Sequence, residues 1–538
     1  MKKFYTLFAV AAFCSATAYA QWSTDRDVAT TIFPSDRNIY SNEVCVGVDG
    51  TIWFFCDNPA STSMDSIYTT SYVMRVQAFT PEGERKFGDT GLELSSYDNQ
   101  SWTVCNQYMC ANRDSTVTIV VHDRRNSTDG TMNYTAYRLR PDGTHVWDED
   151  GVPVDNAMAN SSNAAMSICE LEDGSNIFAW LWVNTSSAVS LQKITKEGEP
   201  MWDPSETKLA GSYNDFPYVV DAGNNQFILV WGRSSSEYLT AMKYNADGTQ
   251  AWNKRVTIYD GGFGISPLWT FLDVKPSGDG GVICAWFDDR AAINVPSVYM
   301  AYVKNDGTLG FTNAEGGADI KLSYSGWNQY GPDVYPDGQG TGFIAVYEQT
   351  SAGQSYGNIA IQHVSMEGEL LYGDEGIELM RLDDEPKSVG YASIKSGKDG
   401  TFAVFYQTHY TYYNTLCEMS IRNLSDGEPR SEADSVISIV DGGRWRASLM
   451  SFADFNRECW YAYWSDNGGS PEDKRDAYCL QRIGFDGSMP GVSSLNSIRN
   501  DNANRQIFDL QGRPVNSEKA LKGIYMVREN GQTRKVLY

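Results

Sequence analysis

Residues 134–147 read Tyr134-Thr-Ala-Tyr-Arg-Leu-Arg-Pro-Asp-Gly-Thr-His-Val-Trp147. An alternating segment runs into Asp-Gly, and an aromatic follows the glycine. Alternation of this kind marks a half-buried strand. Asp-Gly marks a hairpin turn, because glycine accepts positive φ and aspartate tolerates the neighbouring position. The aromatic is expected to open the next strand. The phrase recurs as Glu82-Gly83 with Phe87, Glu197-Gly198 with Trp202, Asp247-Gly248 with Trp252, Asp306-Gly307 with Phe311 and Glu367-Gly368 with Tyr372. Asp426-Gly427 and Asp486-Gly487 lack the aromatic. The eight glycines are separated by 60, 55, 50, 59, 61, 59 and 60 residues, a period that means a solenoid, a propeller or an array.

The residues between the glycines choose the propeller. A second hairpin follows in most repeats, as in Glu172-Asp-Gly-Ser-Asn-Ile-Phe-Ala-Trp180 and Asp399-Gly-Thr-Phe-Ala-Val-Phe-Tyr406. Each repeat then holds four short antiparallel strands with no helical pattern, which is a propeller blade. The fold class is all-β. The last repeat lacks an outer strand after Gly487, while the run Val28-Ala-Thr-Thr-Ile-Phe33 has no blade of its own. Pairing the two closes the ring and leaves no open sheet edge. The expectation is an eight-bladed β-propeller over 21–492, or seven blades if the weak Asp426 repeat is degenerate. A small C-terminal β module is expected to follow.

Residues 1–20 read as a signal peptide: Lys2 and Lys3, an apolar run from Phe4 to Phe13, and Ala18-Tyr19-Ala20 before the cleavage point. Phe13 before Cys14 does not suit lipid attachment. No other stretch approaches the apolar length of a membrane helix. The net charge of −25, which grows more negative when the two lysines leave, argues against nucleic acid and anionic membranes. Export permits disulfides, and Cys45 with Cys56, or Cys459 with Cys479, would bridge neighbouring strands. No CxxC spacing points to zinc, and the reading assigns no metal and no cofactor.

The repeat phrase and its period resemble those of secreted bacterial propeller proteins with repeats of roughly sixty residues. That resemblance implies a fold and not an activity. At the other end, Ile507-Phe-Asp-Leu-Gln-Gly-Arg-Pro-Val515, Leu521-Lys-Gly-Ile-Tyr-Met-Val527 and Arg534-Lys535 resemble the C-terminal sorting domain of the Bacteroidetes type IX secretion system. The resemblance implies a small β-sandwich over 505–538 read by the secretion machinery, with Leu510, Gly512, Gly523, Tyr525, Arg534 and Lys535 carrying the signal. Residues 499–538 hold eight Lys or Arg against four Asp or Glu, a basic segment on an acidic chain. Residues 493–504 form the linker.

Catalytic motifs are absent: there is no HExxH, GxSxG or phosphate-binding loop, and the four histidines sit in different repeats. A better signal is positional. Loops after the second strand and before the first strand of each blade gather on one face. They carry Trp102, Tyr213, Trp269, Trp327, Tyr330 and Trp445, together with Arg124, Arg233, Asp288, Arg290, Glu348 and Asp466. Aromatic faces stack on sugar rings while polar groups bond the hydroxyls. The alternative is that the aromatics pack between blades and that Asp and Arg pair with each other. The sequence therefore suggests a monomeric binding module for an extracellular glycan or other polymer, secreted or held at the outer cell surface. Two alternatives stand beside it: a polysaccharide lyase or hydrolase using carboxylates on that face, and a scaffold for a surface protein. The enzyme reading needs two acids, or a Tyr with an Arg, converging at the channel mouth.

Overall fold

The computed structural model describes residues 22, 29–33, 40–59, 72–94, 107–123, 133–155, 165–183, 187–204, 209–210, 214–233, 239–260, 272–291, 294–313, 316–353, 357–379, 388–411, 414–444, 446–466, 477–489, 506–508, 514–515, 524–529 and 532–537. Eight four-stranded antiparallel sheets follow one another along Met1–Gly487, each ordered from inner to outer strand. Blade 1 begins with the inner strand Tyr40–Val46 and blade 2 with Gln107–Ala111. The inner strands of blades 3 to 8 are Met166–Glu170, Asn214–Asp221, Asp273–Pro276, Asn328–Pro336, Ser388–Ser396 and Arg446–Asp454. The outer strand of blade 8 is Thr30–Thr31, which pairs with Leu480 and Cys479. The chain is thus an eight-bladed β-propeller closed by its N-terminal strand.

The Asp-Gly turns explain the repeat. Gly143 donates to the Arg140 carbonyl at 2.8 Å, and the Asp142 carboxylate accepts the Thr144 amide and hydroxyl at 2.9 and 2.7 Å. Gly143 has φ +85, Gly198 +95 and Gly307 +83, whereas Asp142, Glu197 and Asp306 before them keep negative φ. This is a turn closed by one left-handed glycine rather than a two-residue turn with both central residues left-handed.

The aromatic after each turn does not open the outer strand, which begins several residues later. It reaches the next blade instead. Trp147 lies beneath Gly198, Trp202 beneath Gly248 and Trp252 beneath Gly307; an added Cβ would collide with Trp147, crowd Trp252 and touch Trp202. Trp147 Nε1 donates to the Lys196 carbonyl at 3.0 Å, Trp252 Nε1 to Asn305 at 2.9 Å, and the Tyr372 hydroxyl to Leu424 at 2.8 Å. Each aromatic is a latch onto its neighbour's turn. Trp22, from the N-terminal segment, supplies the latch that blade 8 lacks: it packs under Gly83 and donates to the Pro81 carbonyl at 2.9 Å. The Asp426 repeat has no aromatic, and Arg430 takes the role by donating to the Phe485 and Asp486 carbonyls at 3.1 and 2.8 Å. The repeat counted as weakest is a full blade with a polar latch. Hydrophobic clusters lie between successive blades, one of them joining Trp22, Ile32 and Phe33 to blades 1 and 8.

The proposed disulfides do not form. Cys45 pairs in register with Trp53, while the backbone partner of Cys56 is Asn42. Cys459 pairs with Gly484 and Cys479 with Trp464, an offset of five residues, or roughly 17 Å along the strands. Cys45, Cys459 and Cys479 are free thiols. Being on adjacent strands is insufficient when the register separates the sulfurs.

Among the described residues no helix is long and apolar enough to cross a membrane. Ser488–Tyr538 is a separate compact unit. It holds a four-stranded antiparallel sheet ordered Pro514–Val515, Gln506–Phe508, Ile524–Glu529 and Gln532–Leu537. Tyr525, Arg534 and Lys535 lie on its strands; Leu510, Gly512 and Gly523 lie outside the described residues, as do residues 1–20 and the linker 493–504.

Candidate functional site

The hairpin register aligns the inner strands of blades 1 to 7, and two positions on each belong together. The first holds Glu43, Tyr108, Ser167, Tyr218, Asp273, Asp333 and Ser393 in turn; the second holds Cys45, Cys110, Cys169, Val220, Lys275, Tyr335 and Lys395. The first position reaches the next blade's backbone. The Ser167 hydroxyl accepts the Val219 amide at 3.0 Å, Asp273 the Val334 amide at 2.9 Å and Asp333 the Ile394 amide at 2.7 Å.

Blades 5 to 7 convert this seam into a relay of charge. Lys275 Nζ donates to Asp273 at 2.5 Å and also to Asp333, and Lys395 Nζ donates to the other Asp333 oxygen at 3.1 Å. Lys395 also bonds the Ile394 carbonyl at 2.9 Å and lies 5.1 Å over the Tyr335 ring. Two carboxylates and two ammonium groups therefore balance. Their shifts follow from burial set against these partners. Burial opposes charge on both aspartates. Flanked by two lysines and an amide, Asp333 ends well below the usual carboxylate range, whereas Asp273 ends above it. Burial lowers Lys395.

The relay lines a cavity of about 840 Å³ bounded by the inner strands of blades 5 to 8 and by Cys45 and Val46 of blade 1. That volume lies within the range of small-molecule sites. Tyr330, Glu348 and Tyr391 line it at or beyond the bulges of these strands, and the exposure of Tyr391 marks its mouth there. Tyr330 and Glu348 are register partners, and the Tyr330 ring meets Phe287 edge-on at 5.2 Å. Bulges interrupt the register between Tyr330 and Asp333 and between Gly390 and Ser393. They place Gly331 and Tyr391 at φ +51. That conformation costs a tyrosine energy and persists only where neighbours enforce it. Here the Glu348 carboxylate accepts the Tyr391 amide at 2.9 Å, and the tyrosine is 47% exposed. Burial raises the Glu348 carboxyl above its ordinary value, against the amides of Tyr391 and Ala392.

Of the residues expected from sequence, the cavity brings together Tyr330 and Glu348. Asp288 and Arg290 are elsewhere. Asp288 is fully buried, accepts Trp286 Nε1 at 3.0 Å and holds Arg290 Nε at 2.9 Å. Arg290 lies between the Tyr259 and Tyr299 rings at 3.8 and 3.7 Å and bonds Asp319 at 2.8 Å. This knot joins blades 4 and 5. Asp466 is buried at the end of the second strand of blade 8, opposite Arg446 and Ala477. Trp327 is 38% exposed just before the inner strand of blade 6. Arg233 ends the second strand of blade 4 opposite Asn214, and its side chain lies outside the described residues. Trp102, Arg124, Tyr213, Trp269 and Trp445 also lie outside them. The sequence reading missed Lys275, Asp333, Tyr391 and Lys395. Setting the inner strands in phase on the glycine period would have exposed the two lysines; the bulge that turns Tyr391 outward has no such signal.

Among the described residues no group of three His, Cys, Asp or Glu side chains is placed to hold a metal ion.

No family model matches the chain, and no curated protein matches it. Solved structures similar to it include the polysaccharide lyase Uly1, at 11% identity and a TM-score of 0.44 over 85% of this chain and all of that one. Another is the β-propeller domain of the Trilobed protease from Pyrococcus furiosus, at 12% identity and 0.38 over 71% and 96%. A third is the BP39L lectin from Burkholderia pseudomallei, at 12% identity and 0.39 over 74% and 98%.

Proposed function

We propose that this chain is a carbohydrate-binding propeller that seats a sugar in the cavity of blades 5 to 8. The observation that carries the reading is the pairing of an outward-held Tyr391 ring at the mouth with a charge-balanced relay on the wall. A sugar offers an apolar ring face and a set of hydroxyls, and these two surfaces suit both. The relay's charges are spent on one another, so it offers fixed hydrogen-bond partners and little acid or base. A glycan array probed with the mature chain tests this, followed by calorimetry on each hit. Tyr391→Ala is expected to weaken binding about tenfold, the effect of losing roughly one stacked ring. Silence of the array would overturn the reading.

One observation favours cleavage instead: burial raises Glu348, so that this carboxyl is disposed to hold a proton at the mouth as a general acid. Against it, Asp273 and Asp333 do converge, but on Lys275 between them. Release of reducing ends from a bound glycan, lost in Glu348→Gln, would establish cleavage.

Export belongs to the same proposal. The N-terminal signal and the basic C-terminal segment support passage through type IX secretion to the outer surface or beyond. Removal of residues 505–538 should then leave the protein in the periplasm; surface display of the shortened chain would refute that route.

A further inference from the structure

The connection from blade 5 to blade 6 is described in full, and it runs from the outer strand Asp319–Lys321 to the inner strand Asn328–Pro336. It therefore crosses the width of a blade, three strand spacings or roughly 14 Å. Tyr324 and Trp327 fall along it, and Tyr330 follows three residues later on the inner strand. Their exposure falls toward the centre, with Tyr324 61% exposed, Trp327 38% and Tyr330 half-buried at the cavity mouth.

The segment is pinned by buried polar groups. The Tyr324 amide donates to the Asp374 carbonyl at 2.8 Å, and the Ser323 hydroxyl to Glu375 at 3.0 Å. Gln329 and Gln349, both fully buried, donate to the Ser325 hydroxyl at 3.0 and 3.2 Å, and Gln329 accepts the Val298 amide at 3.1 Å. Lys321 stands 5.3 Å over the Tyr324 ring. Fixing the backbone in advance removes the ordering cost that a mobile loop would impose on a ligand.

We propose that Tyr324 and Trp327 form a track for a linear, neutral polysaccharide whose terminal sugar enters the cavity past Tyr330. This rests on the carbohydrate reading of the cavity and extends it to chain length and direction. Neutrality follows from charge: the relay is balanced internally, and a chain of net −25 repels polyanions. The track lies outside the cavity, so short sugars should not sense it, whereas longer ones gain a stacking contact at each ring.

The test is a chain-length series on the mature protein: neutral gluco-, manno-, xylo- and arabino-oligosaccharides from mono- to hexasaccharide, measured by calorimetry. In the cognate series, affinity should rise about tenfold for each ring engaged, and the double variant Tyr324→Ala/Trp327→Ala should abolish that rise. Both residues are exposed, and an unchanged melting temperature of the variant confirms that its fold is intact. Affinity independent of length, or a rise that survives in the double variant, would overturn the track while leaving the cavity reading in place. No binding by any length in any series would overturn the neutral track; only a silent glycan array would overturn the cavity reading as well.

Discussion

At the blade edges the chain repeats itself, and at the channel it does not. Trp147, Trp202, Trp252, Phe311 and Tyr372 perform one task, each covering the glycine of the following turn. Around the channel, equivalent positions run Cys45, Cys110, Cys169, Val220, Lys275, Tyr335 and Lys395. Every blade must hold its neighbour, so the latch is needed in every blade. The inner strands instead face one shared space, and only a few of them can meet one ligand. Blades 1 to 3 place thiols there, which burial drives upward, Cys110 to about 12. Blades 5 to 7 place the relay. Repetition thus builds the ring, and departure from repetition builds the site.

Breaking a latch should produce the largest effect. Trp22 is 2% exposed, lies 6.1 Å from Phe79 and 5.8 Å from Tyr461, and joins the first blade to the last. Trp22→Ala should cost about 4 kcal/mol, as expected for truncating a buried tryptophan, measured by urea denaturation. Trp252→Ala, an internal latch, should cost about 3 kcal/mol, because its neighbours are still joined by covalent chain. Equal and small losses in both would end the latch account.

This contrast also explains what was legible. The glycine period and the strand alternation are local, so the blades and the closing strand could be read directly. The partner of the aromatic is some fifty residues away, and local reading assigned it to the next strand. The site was harder. Tyr330 and Glu348 were found because loop position alone places them at a mouth. Asp288 and Arg290 have the same composition, but Trp286, Tyr259, Tyr299 and Asp319 enclose them, and enclosure is a tertiary fact. Tyr391 depends on a bulge, which inserts a residue without a sequence mark of its own.

Breaking the relay should have a smaller but still large effect. Lys275→Met leaves Asp273 and Asp333 facing each other without the cation between them, at a cost of about 3 kcal/mol. Cys110→Ala, at the equivalent position of blade 2, should cost only about 1 kcal/mol, because no charge is orphaned. The same urea experiment decides. If the two variants lose alike, the relay is no more than packing, and the two sides of the channel do not differ in kind.

The smallest effect sharpens the comparison by pH. Glu43 occupies the channel position that Asp333 occupies in blade 6, but burial raises it to about 7. Its folded-state value lies above its unfolded one, near 4.5, so folding favours the protonated form. That preference is harmless below about pH 4.5. It becomes a penalty as pH rises above that value, because the unfolded chain ionises first, and the penalty is complete once pH has passed through about 7. Glu43→Gln should therefore stabilise the protein at pH 8 by about 2 kcal/mol and leave it unchanged at pH 4. Asp333, held low by its lysines, has the opposite sign: its stabilising contribution is present at neutral pH and is lost only in strong acid. Melting curves of Glu43→Gln at the two pH values test this. No gain at pH 8 would mean that Glu43 has a cationic partner, and that both sides of the channel carry paired charge; an equal gain at both pH values would mean that ionisation of Glu43 is not what costs stability.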